Sequence, residues 1–384
     1  GSAFVEVPAG GGSGTNTVTT PSNVIFDVNN DIDCLGDMVL KLHYTNKSSQ
    51  ELSSGNVIKD QKLLTIINRV EIQVGTQIWQ TFENSDLLSL ITTELSSGSY
   101  ADLSFQTSGG VTDNNLFING PLDGAVPNDI TAVAYIPLKV FTKTLGPNLE
   151  NFAEQTESGY LMGAAPHQQV KVKVYTEKFE DGSSASNLST VSIQLYAKNQ
   201  VMCNEEREQM KSMPMGLPKR IKMTQNKNVN VTANSDGSLQ AEIDIDSFSL
   251  YGSHIIISTP RAKAGGQVNL LSGTAELLLN SSSFSGKLPL GLLKLTGPTM
   301  GLFTNQYMSN EDIKSNRSVF VFPLASQAYG GSSVPLNRFD NIRLKIVCPV
   351  ASTFDNSATV DFNLTCVGET TALYKGGAAS LAMY

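Results

Sequence analysis

A chain of 384 residues is long for one domain and comfortable for two of roughly 150–200 residues, each large enough to bury its own core. Hydrophobic residues make up 40% and charged residues 16%, with Ser, Thr, Asn and Gly filling the difference, a balance that excludes a disordered chain. The net charge of −8 argues against wrapping nucleic acid through its phosphates, and no stretch reaches the ~18 consecutive apolar residues of a membrane-spanning helix.

Residues 1–22 are rich in Gly, Ser and Thr. They lack the basic start and apolar stretch of a secretory signal and read as a flexible N-terminal arm. Strand patterns follow at 24–28, 37–45, 64–74, 131–138, 170–175 and 189–201. A second series follows at 220–232, 243–246, 253–258, 274–280, 318–324, 340–348 and 360–366. The clearest alternations are Val170, Val172, Val174 against Lys171, Lys173, Tyr175, and Val360, Phe362, Leu364, Cys366 against Asp361, Asn363, Thr365. Period-two alternation turns one set toward a core and the other toward water or a partner. Two stretches read as helices. In 85–96, Ser85 caps a face of Leu87, Leu88, Ile91 and Leu95. In 204–213, Asn204 caps, Glu205 and Glu206 suit the positive first turn, and Pro214 ends the helix.

The pattern predicts an all-β protein: two tandem eight-stranded jelly-roll β-sandwiches with a few short helices. The expected divisions are an arm at 1–22, a first sandwich at 23–203, a linker helix at 204–218, a second sandwich at 219–372 and a C-terminal tail at 373–384. Loops around 97–130 and 142–166 are long enough to suggest function or contacts.

Chemistry-bearing motifs are few. His43, His167 and His254 have no partner at metal-ligand spacing, and no nucleophile elbow or phosphate-binding loop is present. Asp27, Asn29, Asp31, Asp33 and Asp37 imitate the start of a calcium loop. Ile32 and Met38 then stand where its glycine and bidentate glutamate belong. Asp244 and Asp246 share a strand face, as a hydrolase pair would, without a visible cleft. Trp79, the single tryptophan, suits a core or interface better than a sugar platform. Cys34, Cys203, Cys348 and Cys366 read as free thiols, with a cross-strand Cys348–Cys366 bridge left open. Sequons begin at Asn46, Asn187, Asn230, Asn280, Asn316 and Asn363. No catalytic, cofactor-binding or metal site is assigned.

Several segments, in order, resemble one family. Asp33–Leu40 is similar to its early strand, with a Gly-Asp pair before an apolar run. Ile67–Gln77 resembles a segment that ends on two glycines, although Thr76 replaces the second. Tyr135-Ile136-Pro137-Leu138 and the strand after His167-Gln168-Gln169-Val170 follow. Leu195-Tyr196 leads into Asn204-Glu205-Glu206-Arg207. Phe320–Leu324, Val334–Asn341 and the Gly-rich apolar end Tyr374–Tyr384 complete the series. The family is the double jelly-roll major capsid protein of tailless icosahedral DNA viruses, in the branch of the nucleo-cytoplasmic large DNA viruses and related phages.

This resemblance implies a structural, non-enzymatic protein of the virion. It would form homotrimeric, pseudo-hexagonal capsomers that contact neighbouring capsomers, penton and minor capsid proteins, often over an internal membrane. It implies no cofactor and no sequence-specific nucleic-acid binding. The arm and tail are then expected to order only in the assembled shell. A glycan-binding β-sandwich, a lectin or adhesin, is the alternative from composition and fold class.

Overall fold

The computed structural model describes residues 2–10, 15–19, 22–28, 32–46, 67–83, 130–138, 160–176, 190–212, 215–246, 248, 250–258, 273–299, 319–326, 333–349 and 359–382. The first half contains β1 (Ser2–Val7), β2 (Thr15–Thr19), β3 (Ser22–Val28), β4 (Cys34–Asn46), β5 (Ile67–Val74), β6 (Gln77–Glu83), β7 (Ile130–Leu138), β8 (Tyr160–Leu161), β9 (Val170–Thr176) and β10 (Thr190–Gln200). Helix α1 (Asn204–Ser212) follows. The second half contains β11 (Met215–Asn230), β12 (Thr232–Ala233), β13 (Leu239–Ile245), β14 (Tyr251–Ser258), β15 (Thr274–Leu279), β16 (Ser282–Ser283) and β17 (Leu288–Pro289). Helix α2 (Leu290–Thr299), β18 (Val319–Pro323), β19 (Val334–Pro335), β20 (Ile342–Cys348), β21 (Thr359–Lys375) and β22 (Ala378–Leu381) complete it.

Pairing repeats between the halves. One sheet of the first half runs β1-β10-β4-β7, with β2 also on β10, and the facing sheet runs β3-β9-β5-β6. In the second half the orders are β11-β21-β14-β18 and β13-β20-β15-β16. Counting β1 and β2 as one interrupted strand, both halves place the eighth strand between the first and third, and the seventh between the second and fourth. That is a jelly roll, made twice: the chain is a double jelly roll. All of the pairings between these strands are antiparallel.

Alternation explains the cores. β9 buries Val170, Val172 and Val174 between half-exposed lysines and Tyr175, against Val24, Phe26 and Val28 of β3 and Val70, Ile72 and Val74 of β5. The second core gathers Ile243, Ile255, Ile257, Leu277, Leu344, Phe362, Leu364 and Cys366. In β21 the rule gives way: Asn363, Thr365 and Val367, on the opposite face from that core, are buried as well. The polar residues are satisfied there, since Asn363 donates to Asn226 and Thr365 bonds Asn363 and Thr224. The sequon at Asn363 is therefore sealed inside the fold.

Three expectations need correction. Of the expected arm, the described stretches 2–10 and 15–19 are paired into the first sandwich. β1 and β2 lie end to end along β10, as Ser2 opposite Gln200 and Thr19 opposite Thr190. Between them the chain swings across to the other sheet, where Ala9 bridges Phe26 and the Gly10 amide donates to the Ile25 carbonyl at 2.8 Å. Val7 and Ala9 are buried, so this segment closes one side of the first sandwich. The tail is likewise folded in the single chain as far as it is described, to Ala382. Gly376 and Gly377, with φ of +61° and +76°, make a tight turn that folds β22 back on β21. In α1, the Cys203 carbonyl accepts the first helical bond from Arg207, so Cys203 is the cap and Asn204 lies inside. Glu206 reaches back to the Cys203 amide at 3.0 Å, half of a capping box. The expected helix 85–96 and most of the loops 97–130 and 142–166 lie outside the described residues.

Candidate functional site

The polar residues that drew attention in the sequence are held in structural pairs. Asp244 of β13 receives Arg343 at 2.9 Å, and Asp246, just past the end of that strand, receives Lys227 at 2.7 Å. The two carboxylates thus meet separate cations. Of the proposed calcium residues, Asp27 faces Lys171 at 3.7 Å and Asp33 is gripped by Arg207, while Asn29 and Asp31 lie outside the described residues. Among the described residues, no group of three or more His, Cys, Asp or Glu is placed to hold a metal ion. His254 is buried with Nδ1 2.9 Å from Ser253 Oγ, and His167 is exposed. The His43 side chain lies outside the described residues. All four cysteines are free, so no bridge joins Cys348 and Cys366, which sit on different sheets of the second core. Burial pushes the Cys348 thiol up to about 11.

What the chain does build is a junction between its sandwiches, where two edge strands meet. β6 is the edge of one first-half sheet and β11 the edge of one second-half sheet. The Gln80 side chain accepts from the Lys222 amide at 3.0 Å and donates to the Lys222 carbonyl at 2.7 Å. A side-chain amide thereby pairs with an edge strand as a peptide would, and blunts it. Gln225 repeats the device at Asp246, accepting from its amide and donating to its carbonyl.

The second sandwich also sends a ribbon beneath the first. β11 and β21 pair from Asn230 opposite Thr359 to Met215 opposite Tyr374, and β22 adds a third strand. Ala372, Tyr374, Ala379 and Leu381 of this ribbon belong to the first core. The Tyr374 ring lies 5.8 Å from that of Tyr160, and Trp79 meets Tyr160 edge-on at 5.2 Å. The His167 amide donates to the Gly377 carbonyl, and the Ala379 amide to Gln168 Oε1 at 2.7 Å. A Cβ on Gly377 would lie 2.5 Å from the His167 ring, so only glycine fits there. Lys219 of the ribbon is 2% exposed, and burial pulls its ammonium down to about 8, with Cys34 acting in the opposite direction. Arg207 of α1 grips Asp33 with two bonds of 2.7 Å, holding that carboxyl below its ordinary value against the opposing effect of burial.

Trp79 is thus a junction residue and no exposed sugar platform. The sequence did not reveal Gln80, Lys219, Lys222 or Tyr374, because each acts through a partner more than a hundred residues away. Exposed large apolar residues are spread over several elements, among them Ile78 of β6, Leu373 of β21 and Ile25 of β3. Phe4 and Val5 lie on β1, Val201 follows β10, Phe284 follows β16, and Leu292 and Leu295 lie on α2.

No protein-family model and no curated protein matches the sequence. Solved structures do match the fold. VP54 of PBCV-1 superposes with a TM-score of 0.74 at 13% identity, over 100% of this chain and 97% of that one. The Faustovirus major capsid protein gives 0.62 at 9% identity, over 98% and 90%. The MCP of STIV, Sulfolobus Turreted Icosahedral Virus, gives 0.57 at 11% identity, over 96% of both chains.

Proposed function

We propose that this chain is a major capsid protein of an icosahedral virus, a structural and non-catalytic component of the virion. The observation that carries this reading is the end-to-end likeness to viral capsid chains, set on a jelly roll that is made twice in one chain. Two similar lobes per subunit give six lobes in a trimer. A nearly hexagonal tile of this kind can cover a closed shell that simple trimer contacts would leave open. A low charge and a composition rich in Ser, Thr and Asn suit broad, wet contacts between tiles.

The partners are then copies of the chain itself, neighbouring capsomers, and penton and minor capsid proteins. The glycan-binding alternative loses its best residue, because Trp79 is buried at the junction. Negative-stain electron microscopy of the purified chain tests the proposal. Hexagonal particles with six density lobes are expected. Single two-lobed particles at all concentrations would refute it.

A further inference from the structure

The junction inside the chain has a counterpart that the single chain leaves open. In the first half, the hairpin from β5 to β6 turns at Gly75-Thr76 and presents Gln80 to the edge strand β11 at Lys222, with Trp79 before it buried against Tyr160. In the second half, the matching hairpin from β15 to β16 turns at Asn280-Ser281, whose φ values of 48° and 66° suit a two-residue turn. Phe284 stands two residues after Ser282 as Trp79 stands two after Gln77. Its amide bonds the Leu277 carbonyl, where the first half has Gln80 opposite Ile72. Phe284 therefore occupies the place that in the first half meets the neighbouring sandwich, yet it is 43% exposed.

The receiving edge can be matched in the same way. Both sandwiches have an irregularity where the third strand starts beside the eighth. It falls between Ala197 and Asn199, opposite Met38 and Leu35, in the first, and between Gly252 and His254, opposite Gly368 and Val367, in the second. Counted from this landmark, Val367 corresponds to Ala197. The edge partner of Val367 is Lys222, and that of Ala197 is Val5, with Phe4 beside it. Phe4 and Val5 are 57% and 42% exposed, on an edge strand. The position that Gln80 covers in one sandwich is thus apolar and uncovered in the other.

We infer that the Phe284 tip of one subunit docks on the Phe4–Val5 edge of the next, repeating between chains the contact that Gln80 makes with Lys222 within one. This inference rests on the capsomer reading and gives it a specific interface. The contact is head-to-tail, because tip and edge are different surfaces, and three such contacts close a ring when each sandwich-to-sandwich step turns the same way. The exchange of Gln80 for an aromatic tip, and of a buried lysine edge for Phe4 and Val5, makes this contact apolar.

Two experiments test it together. Phe284→Ser and Phe4→Ser chains are compared with the parent by light scattering across a dilution series. Each side chain is exposed in the single chain, so the monomer should unfold at the parental temperature. The concentration at half-dissociation of the trimer should rise roughly tenfold or more, as for loss of an interface aromatic. Separately, Phe4→Cys and Phe284→Cys are combined in a Cys203→Ser background, which removes the exposed native thiol. A short bis-maleimide should then give covalent dimers and trimers, while either cysteine alone should give monomers. A parental trimer whose dissociation is unchanged in both serine variants, with no cross-linking of the double cysteine chain, overturns this interface and leaves the trimer standing. A parent that is monomeric throughout overturns both.

Discussion

Tyr374→Ala should separate the sandwiches energetically while leaving both jelly rolls formed. Tyr374 comes from the last turn of the second-half ribbon but is buried in the first core, its ring 5.8 Å from Tyr160. Removing a buried aromatic side chain leaves a cavity and costs about 3–5 kcal/mol. Its neighbour Leu373 points the other way and is 46% exposed, so Leu373→Ala should cost under about 1 kcal/mol. Urea unfolding followed by tryptophan fluorescence suits the test, because the chain has a single tryptophan and Trp79 meets Tyr160 at 5.2 Å. At a slope of about 3 kcal/mol per molar urea, the Tyr374→Ala midpoint should fall by about 1 M or more at matched protein concentration. The reasoning fails if that midpoint stays within about 0.3 M of the parent, or if Leu373→Ala costs as much.

Other consequences follow from the same contacts. Deleting residues 1–10 removes β1 and the Ala9–Phe26 bridge, so it should lower the melting temperature of the subunit itself; an unchanged melting curve would contradict the closing role of this segment. Asp33→Asn should destabilise at neutral pH. Its folded carboxyl sits below the unfolded value, so the parental advantage is present above about pH 4 and disappears as pH falls through the lowered folded value; parallel melting temperatures from pH 3 to 8 would contradict this. Lys219 has the opposite consequence. Its folded ammonium titrates near 8, below the unfolded 10.5, so the unfolded chain holds more protons between these values and stability rises with pH across that window. Lys219→Met should remove that rise, and an identical pH dependence in parent and variant would refute it. Of the four thiols, only Cys203 should react promptly with a thiol reagent in the native protein, and all four after unfolding; rapid labelling of Cys34, Cys348 or Cys366 would contradict their burial.

Most of the strand pattern was readable locally. The alternation at 170–175, 243–246 and 360–366 matches β9, β13 and β21, because half-buried strands print their period on the sequence. The resemblance to double jelly-roll capsid proteins agrees with the fold seen here. Residues 1–22 were misread because Gly10–Gly14 dominates the composition, while β1 and β2 on either side are short edge segments. The tail was misread because its two glycines suggest looseness, whereas their positive φ makes a tight hairpin. Burial on both faces of β21 was invisible, since Asn363 and Thr365 look like outward residues until the buried polar ladder satisfies them. The junction was out of reach because Gln80 and Lys222 are 142 positions apart and neither carries a motif. The exposed Phe284 tip and Phe4–Val5 edge carry no local motif, since their meaning lies in the strand-by-strand correspondence of the two sandwiches.

The capsomer reading stands or falls on the solution mass of the intact chain. Light scattering at micromolar concentration should give about 124 kDa, three times the 41.2 kDa of one chain, with no dependence on elution volume across the peak. A stable particle of 41.2 kDa at every concentration would contradict it.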